Sequence, residues 1–193
     1  MRSVCVFAGS RTGTRPEYRA AAEELGRTLA QQGTHVVYGG GGVGLMGLLA
    51  DAVLASGGTI TGVIPTHLTT GEVAHRGLDD LRVVSSMHER KALMADLSDG
   101  FVALPGGWGT LEEFFEVLTW AQLGLHEKPC GLLNVGGYFD GLLGFLQHAT
   151  DEGFVRPDNA PMVLVASSVA SLVRALDEYR PPLFQQGSPR VAR

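Results

Sequence analysis

The chain has 193 residues, of which 45% are hydrophobic and 18% are charged, so its size suits a single domain with a substantial core. Its formal net charge is −5 and its only lysines are Lys91 and Lys128, which argues against a nucleic-acid partner because such surfaces concentrate cationic side chains. No apolar run approaches the ~18 residues of a membrane span and no signal peptide is apparent, so we expect a soluble protein without a membrane partner.

Short apolar runs alternate along the chain with longer segments of helical periodicity. The predicted strands are Val4–Ala8, His35–Tyr38, Thr59–Ile64, Leu81–Val84, Phe101–Leu104, Gly131–Asn134 and Met162–Val165. The predicted helices are Pro16–Gln32, Leu45–Ala55, Met87–Leu97, Leu111–Leu123, Phe139–Asp151 and Val169–Tyr179. Because most strands are apolar throughout, as strands buried on both faces are, the pattern predicts an α/β fold with an open, doubly wound parallel sheet of about seven strands.

Two segments interrupt this alternation. Residues 65–80 mix glycine with polar side chains and are predicted to form a flexible loop. Residues 180–193 are predicted to be a disordered tail that follows a single domain at 1–179. Both cysteines, Cys5 and Cys130, lie in apolar runs typical of buried strands, which favours reduced core thiols over a disulfide and therefore a cytoplasmic location.

The residues suited to chemistry follow four of the predicted strands. In a doubly wound sheet the ligand binds beyond the carboxyl ends of the strands, so turns that follow different strands meet at one edge. The turns concerned are residues 8–13, 39–47, 85–91 and 105–113. Their convergence predicts a single ligand site.

Glycine dominates the turn after the second strand. Gly39, Gly41 and Gly44 formally complete a G-x-G-x-x-G motif, which is a weak signal for a dinucleotide. The motif follows the second strand instead of the first, and the third strand is not followed by an acid that could hold a ribose. A glycine loop at a helix start instead favours an anion such as phosphate, and the alternative is a turn that is merely tight.

The turn at residues 105–113 is the most specific feature. Gly106, Gly107 and Gly109 leave backbone N–H groups unobstructed where a helix begins, and the Thr110 hydroxyl adds a donor, so the turn predicts an anion cradle. Glu113 has two interpretations. It can complete a capping box with Thr110, or it can face a ribose and stabilise the positive charge that develops at C1′ as an N-glycosidic bond breaks.

Other polar side chains near these turns are weaker candidates. Arg90, early in the helix after the fourth strand, can grip a phosphate or orient the carboxylate, and the alternative is an exposed helix arginine. His88 and Lys91 have less support, and Trp108 is either a packing residue or part of a base pocket. The histidines lack metal-ligand spacing, so no metal site is predicted.

Together these motifs resemble the signature of the Lonely guy family, the cytokinin riboside 5′-monophosphate phosphoribohydrolases. The similarity rests on Met87-His88-Glu89-Arg90-Lys91 and on Pro105-Gly-Gly-x-Gly-Thr-x-x-Glu113. It extends through residues 39–47, 62–65, 119–124 and 131–134, and it covers about Ser3 to Tyr179. One departure is Phe7-Ala8-Gly9-Ser10-Arg11, where the family often has a cysteine before the glycine and a second serine after it.

The resemblance implies a Rossmann-like, usually dimeric enzyme that uses no cofactor and releases an adenine-type base and ribose 5-phosphate. It implies that Arg90 and Glu113 form the catalytic pair. The resemblance implies phosphate and nucleotide binding by Ser10, Gly40, Gly41, Gly42, Gly106, Gly107, Gly109 and Thr110, and the positions of Arg90 and Lys91 add these two cations to the predicted binding residues. The expected partners are a nucleotide, either an N6-modified adenosine 5′-monophosphate or AMP, and a second copy of the chain.

Three other functions compete with this one: a nucleotide sensor, an oxidoreductase and a lysine decarboxylase. A non-catalytic nucleotide-binding or sensor module would use the same cradle. An oxidoreductase is disfavoured by the misplaced glycine motif. Lysine decarboxylation, a label that relatives have carried, would normally need a lysine for pyridoxal phosphate, and neither Lys91 nor Lys128 has an evident partner for that cofactor.

Overall fold

The computed structural model describes residues 1–69 and 74–181, and in this part of the chain one parallel sheet has the strand order β4-β3-β2-β1-β5-β6-β7. The strands are β1 (Ser3–Phe7), β2 (His35–Tyr38), β3 (Ile60–Pro65), β4 (Asp80–Val84), β5 (Phe101–Ala103), β6 (Cys130–Leu133) and β7 (Val163–Ala166). The helices are α1 (Pro16–Gln31), α2 (Gly44–Ala55), α3 (Met87–Asp96), α4 (Trp108–Gln122), α5 (Asp140–Asp151) and α6 (Val169–Glu178). The predicted doubly wound α/β fold is confirmed, with element bounds close to the predicted ones.

The apolar strands are buried on both faces because helices cover both sides of the sheet. On β1, Val4 and Val6 belong to a core with residues of α1, α2 and α6. Cys5 and Phe7, which alternate with them, belong to a second core with residues of α3 and α4. Successive side chains of a strand point to opposite faces, so a strand between two helical layers has to be apolar throughout.

The strand order reverses at β1, and this reversal positions the ligand site. From β1 the chain adds β2, β3 and β4 on one side, and it then crosses to place β5, β6 and β7 on the other. The turns that follow β1 and β5 therefore lead to helices on opposite faces of the sheet. Such turns separate and leave a crevice at the carboxyl ends of the two strands.

The described parts of residues 65–80 contain more regular structure than the predicted flexible loop. Pro65 ends β3, residues 66–68 form a short 3₁₀ helix, and Asp80 begins β4. The His75 N–H donates to the Gly40 carbonyl at 2.9 Å, so the end of this segment is tied to the turn after β2. Residues 70–73 lie outside the described ranges, as do residues 182–193 of the predicted disordered tail.

The helices differ in how much of their surface they bury. Leu172 and Leu176 of α6 are buried against the sheet. By contrast α5 has no buried residue, although Leu142 and Leu143 pack partly against the core. Within the described ranges, no helix is both long enough and apolar enough to cross a bilayer.

Cys5 lies in β1 and Cys130 in β6, which begins one residue before the predicted strand, and both are buried free thiols. Burial raises the pKa of the Cys5 thiol well above its ordinary value and raises the pKa of Cys130 to about 12. Both sulfurs are therefore protonated and shielded at neutral pH.

A close backbone approach fixes the turn after β1 against the start of α2. The Leu45 N–H donates to the Gly9 carbonyl at 2.9 Å, and Gly44 adopts a positive φ of 64°. A Cβ atom at Gly44 would overlap the backbone of Ser10 and Arg11. Glycine is therefore required at position 44 for two reasons: the backbone has a positive φ, and the contact leaves no space for a Cβ atom.

Gly44→Ala should destabilise the fold more than Gly57→Ala. Gly57 also has a positive φ, of 73°, but a Cβ atom there would meet nothing within 4 Å. Both substitutions incur the left-handed backbone penalty of about 1–2 kcal/mol, whereas only Gly44→Ala adds overpacking of about 1–3 kcal/mol. Urea unfolding of both variants measures the difference, and equal losses of stability would contradict the close contact.

Candidate active site

A cleft of about 640 Å³ opens at the carboxyl ends of β1 and β5, within the size range of small-molecule sites. Its walls are the turns that follow these two strands, with further side chains from α1, α2, α3, α4 and the segment after β6. The lining residues are Ala8, Gly9, Ser10, Arg11, Thr12, Gly13, Tyr18, Leu45, Met46, Met87, Arg90, Pro105, Gly106, Gly107, Trp108, Gly109, Thr110, Glu112, Glu113 and Tyr138. All four predicted turns contribute to this one cleft, because Leu45 and Met46 belong to residues 39–47, and Met87 and Arg90 belong to residues 85–91.

The N-terminus of α4 forms one wall of the cleft. The helix begins at Trp108 with Gly107 as its N-cap, which is three residues before the predicted start at Leu111. The N–H groups of a first helical turn have no partner within the helix, so they are available to an anion. Thr110 is the third helical residue and does not cap the helix, so the capping-box interpretation of Thr110 and Glu113 is wrong.

Two contacts shape the glycine turn before α4. A Cβ atom at Gly106 would overlap the Thr110 hydroxyl, so Gly106 is required for the turn to close over the buried Thr110 side chain. On the other side, the Tyr138 hydroxyl donates to the Gly106 carbonyl at 2.5 Å. The anion-binding wall is thus held from both sides by side chains.

The inner end of the cleft holds an ion pair between α3 and α4. Arg90 and Glu113 are each only 8% exposed, and the Arg90 Nη1 atom donates a short hydrogen bond to Glu113 Oε1. The Arg90 Nε atom donates to the Val63 carbonyl of β3 at 3.0 Å. This second bond anchors the guanidinium to the sheet, so that its position fixes that of the carboxylate.

The sequence explains how Arg90 reaches this position. Ser86 caps α3 by accepting a hydrogen bond from the Glu89 N–H at 3.1 Å, which sets the start of the helix one turn before Arg90. A Cβ atom at Gly39 would overlap the Arg90 Nη2 atom. Gly39, at the end of β2, therefore provides the space through which the guanidinium reaches Glu113.

Burial raises the pKa of Glu113 above the ordinary value for glutamate, and the adjacent Arg90 guanidinium counteracts part of that rise. Such a carboxylate takes up a proton at a higher pH than an exposed one. Perturbed groups at the end of a cleft are typical of catalytic residues.

Lys91 forms a second cationic link between α3 and α4. Its Nζ atom lies 2.5 Å from Glu112 Oε1 and 3.0 Å from Glu116 Oε1. Lys91 lies outside the cleft lining, and Lys128 donates instead to the Ala95 carbonyl at 2.8 Å. Both lysines are therefore engaged within the protein.

The structure brings most of the predicted site residues together. Those that line the cleft are Ser10, Arg90, Gly106, Gly107, Gly109, Thr110 and Glu113. Those that lie outside the lining are Gly40, Gly41, Gly42 and Lys91, and also His88. Close packing accounts for two of these glycines, because a Cβ atom would meet β3 at Gly40 and the His75 backbone at Gly42.

Sequence reasoning missed Tyr138 and Tyr18. Their rings pack edge to face with centroids 5.5 Å apart at one end of the cleft. Tyr138 follows β6, and the segment after any strand of such a sheet lies at the edge where ligands bind. This position is the signal that could have identified Tyr138. Met46 and Met87 were missed because apolar side chains give no functional signal in a single sequence.

Sequence comparison identifies close relatives. A family profile described as possible lysine decarboxylase matches residues 46–176. A cytokinin riboside 5′-monophosphate phosphoribohydrolase of Arabidopsis thaliana is 49% identical over 180 residues, which cover 93% of this chain and 83% of the relative. A protein of the same name from Rhodococcoides fascians is 52% identical over 176 residues, which cover 91% of this chain and 89% of the relative.

Solved structures share the fold. A molybdenum cofactor carrier protein of Chlamydomonas reinhardtii is 25% identical, with a TM-score of 0.68 over 91% of this chain and 96% of its own. Because that protein is a carrier by name, the fold alone does not select the chemistry. The sequence similarity does identify the family. With about half of its residues identical over nine-tenths of its length to proteins named as phosphoribohydrolases, this chain belongs to the Lonely guy family of enzymes.

Proposed function

We propose that the protein hydrolyses the N-glycosidic bond of an adenosine-type nucleoside 5′-monophosphate and releases the free base and ribose 5-phosphate. The observation that carries this proposal is the buried Glu113 carboxylate, which Arg90 holds at the inner end of a cleft bordered by a helix N-terminus. The helix N-terminus suits the phosphate, and the carboxylate suits the carbon that becomes positive. One cleft thus offers both groups that the reaction needs.

The 5′-phosphate binds at the start of α4 in this proposal. The backbone N–H groups of Gly107, Trp108 and Gly109 lie in the first turn, and the helix dipole favours a negative charge there. Gly106 and Thr110 complete this wall. Because the phosphate does not react, its binding energy holds the ribose in place for the step at C1′.

Glu113 acts on the ribose. As the bond between C1′ and the base nitrogen breaks, the electron pair leaves with the base and positive charge develops on the ring. The Glu113 carboxylate stabilises this charge or takes a proton from the attacking water, whose oxygen forms the new bond to C1′. The departing base receives a proton, which solvent can supply. Arg90 fixes the orientation of the carboxylate throughout.

The relatives support an N6-modified adenosine 5′-monophosphate as the substrate, with AMP as the simpler alternative. Proteins about half identical to this chain are named for cytokinin riboside 5′-monophosphates. The cleft offers apolar contacts for a base and an apolar substituent through Leu45, Met46 and Met87. Trp108 also lines the cleft and is 90% exposed, so its ring is free to pack against a ligand.

We also propose a homodimer, which the resemblance to the family implies. The family that the chain resembles is usually dimeric, and α5 has no buried residue in the single chain. Phe145 on α5 is 63% exposed, and Phe154 in the turn directly after it is 89% exposed. Exposed aromatic side chains on a helix and on the turn after it are typical of a surface that a partner covers. A second copy of the chain is the proposed partner for this face.

Glu113→Gln should abolish most of the activity and leave binding largely intact. The amide has the shape of the carboxylate but cannot stabilise a positive ring or accept a proton, so kcat should fall by about 100- to 10,000-fold. Free base released from N6-isopentenyladenosine 5′-monophosphate and from AMP is quantified by chromatography. Glu24→Gln, an exposed position on α1, is the matched control and should keep wild-type activity. If Glu113→Gln kept wild-type kcat, the assigned role would be wrong.

The pH profile of kcat/KM should show an acidic limb that belongs to Glu113. Burial raises the pKa of this carboxyl, so the ionised form is lost as pH falls through a value above the ~4.3 of an ordinary glutamate. Activity that depends on the carboxylate therefore declines at a higher pH than exposed glutamates titrate. Rates measured from pH 4 to pH 8 test this, and a limb at or below the ordinary value would contradict it.

Phe145→Glu should dissociate the dimer. The wild-type protein should have twice the chain mass of 20.4 kDa in light scattering, and the charged variant should approach the mass of one chain. Gln147→Glu adds the same charge on α5 about 200° around the helix and should leave the dimer intact. A wild-type protein with the mass of one chain would contradict the proposal.

A further inference from the structure

The charged side chains that line the cleft differ in whether they already have an ion-pair partner. Among the described residues of the lining, Arg11 and Arg90 are cationic, and Glu112 and Glu113 are anionic. A bound phosphate monoester would bring about −1.5 to −2 charges to a wall that already has two carboxylates nearby. Recognition of such an anion calls for a cation that is not already engaged with a carboxylate.

Arg90 does not meet this requirement. Its Nη1 atom is bonded to Glu113 and its Nε atom donates to the Val63 carbonyl at 3.0 Å. Lys91 is likewise engaged, because it neutralises Glu112 from outside the cleft. The positive charges on the α3 side are therefore matched by the carboxylates of α4.

Arg11 is the cation that remains. It lines the cleft, its side chain is exposed, and within the described ranges its guanidinium has no ion-pair partner. Its backbone is fixed between two helix starts. Gly9 donates to the Pro105 carbonyl at 3.1 Å on the α4 side, and Gly44 of α2 packs against the Ser10–Arg11 backbone on the other.

We propose that Arg11 binds the 5′-phosphate from the turn after β1, and so makes the enzyme select nucleoside monophosphates over nucleosides. This inference rests on the proposed function. An arginine fork pairs with two phosphate oxygens at once, and an exposed side chain on a fixed backbone can reach a ligand without disturbing the fold.

The test compares Arg11→Ser, Arg11→Lys and the matched control Arg19→Ser, an exposed arginine on α1 outside the cleft lining. Kinetics are measured on N6-isopentenyladenosine 5′-monophosphate and on the corresponding nucleoside. Arg11→Ser should raise KM for the nucleotide by about 10- to 100-fold with little change in kcat, and leave the nucleoside rate unchanged. Arg11→Lys should give a smaller rise, because it keeps the charge but loses the fork.

Two results would overturn the role of Arg11. One is a KM for the nucleotide in Arg11→Ser no higher than in Arg19→Ser. The other is an equal loss of activity on nucleotide and nucleoside, which would indicate a general defect of the cleft.

Titration calorimetry with ribose 5-phosphate separates this inference from the proposed reaction. If the wild-type protein cleaves no nucleotide, the proposed function fails, but the affinity for ribose 5-phosphate still tests Arg11. A weaker affinity in Arg11→Ser than in Arg19→Ser supports the phosphate contact. Equal affinities in the two variants overturn it.

Discussion

The ion pair between Arg90 and Glu113 is the interaction on which the cleft depends. It joins α3 to α4 across the carboxyl edge of the sheet, and the Val63 carbonyl ties it to β3. A pair this deeply buried is costly to break, because either partner left alone is an uncompensated charge, at about 3–5 kcal/mol. The missing side chain at Gly39 is part of the same arrangement, since any Cβ atom there would displace the guanidinium. The geometry of the cleft and the local stability therefore rest on the same contacts.

The start of α4 has to satisfy two opposite electrostatic requirements. Its first turn attracts an anion, yet Glu112 and Glu113 follow directly in the same helix. The structure reconciles them because Lys91 neutralises the first carboxylate from outside the cleft and Arg90 neutralises the second from within. In the proposed reaction, the buried Glu113 carboxylate is the group that acts on the ribose.

Features that depend on neighbouring residues were predictable, and those that depend on distant ones were not. The apolar runs located the strands to within about a residue, because burial on both faces dictates their composition. The start of α4 was predicted too late, since Gly107 and Gly109 look like turn residues although Trp108 is already helical. The residues alone left open whether the Arg90 side chain points to a phosphate or to a carboxylate, because its partner Glu113 lies 23 residues away in sequence. Gly42 is a predicted ligand contact, yet it packs against the backbone of His75, in the segment predicted to be a flexible loop.

The burial of both native thiols has a practical consequence for labelling. Cys5 and Cys130 are protonated and inaccessible, so thiol reagents at neutral pH should leave the native protein unmodified. A single cysteine introduced on the exposed rim of the cleft, for example in place of Thr14, would then be the one reactive sulfur. Fluorophores or spin labels can be attached there in the otherwise unaltered sequence, and they would report on ligand binding and release in the cleft.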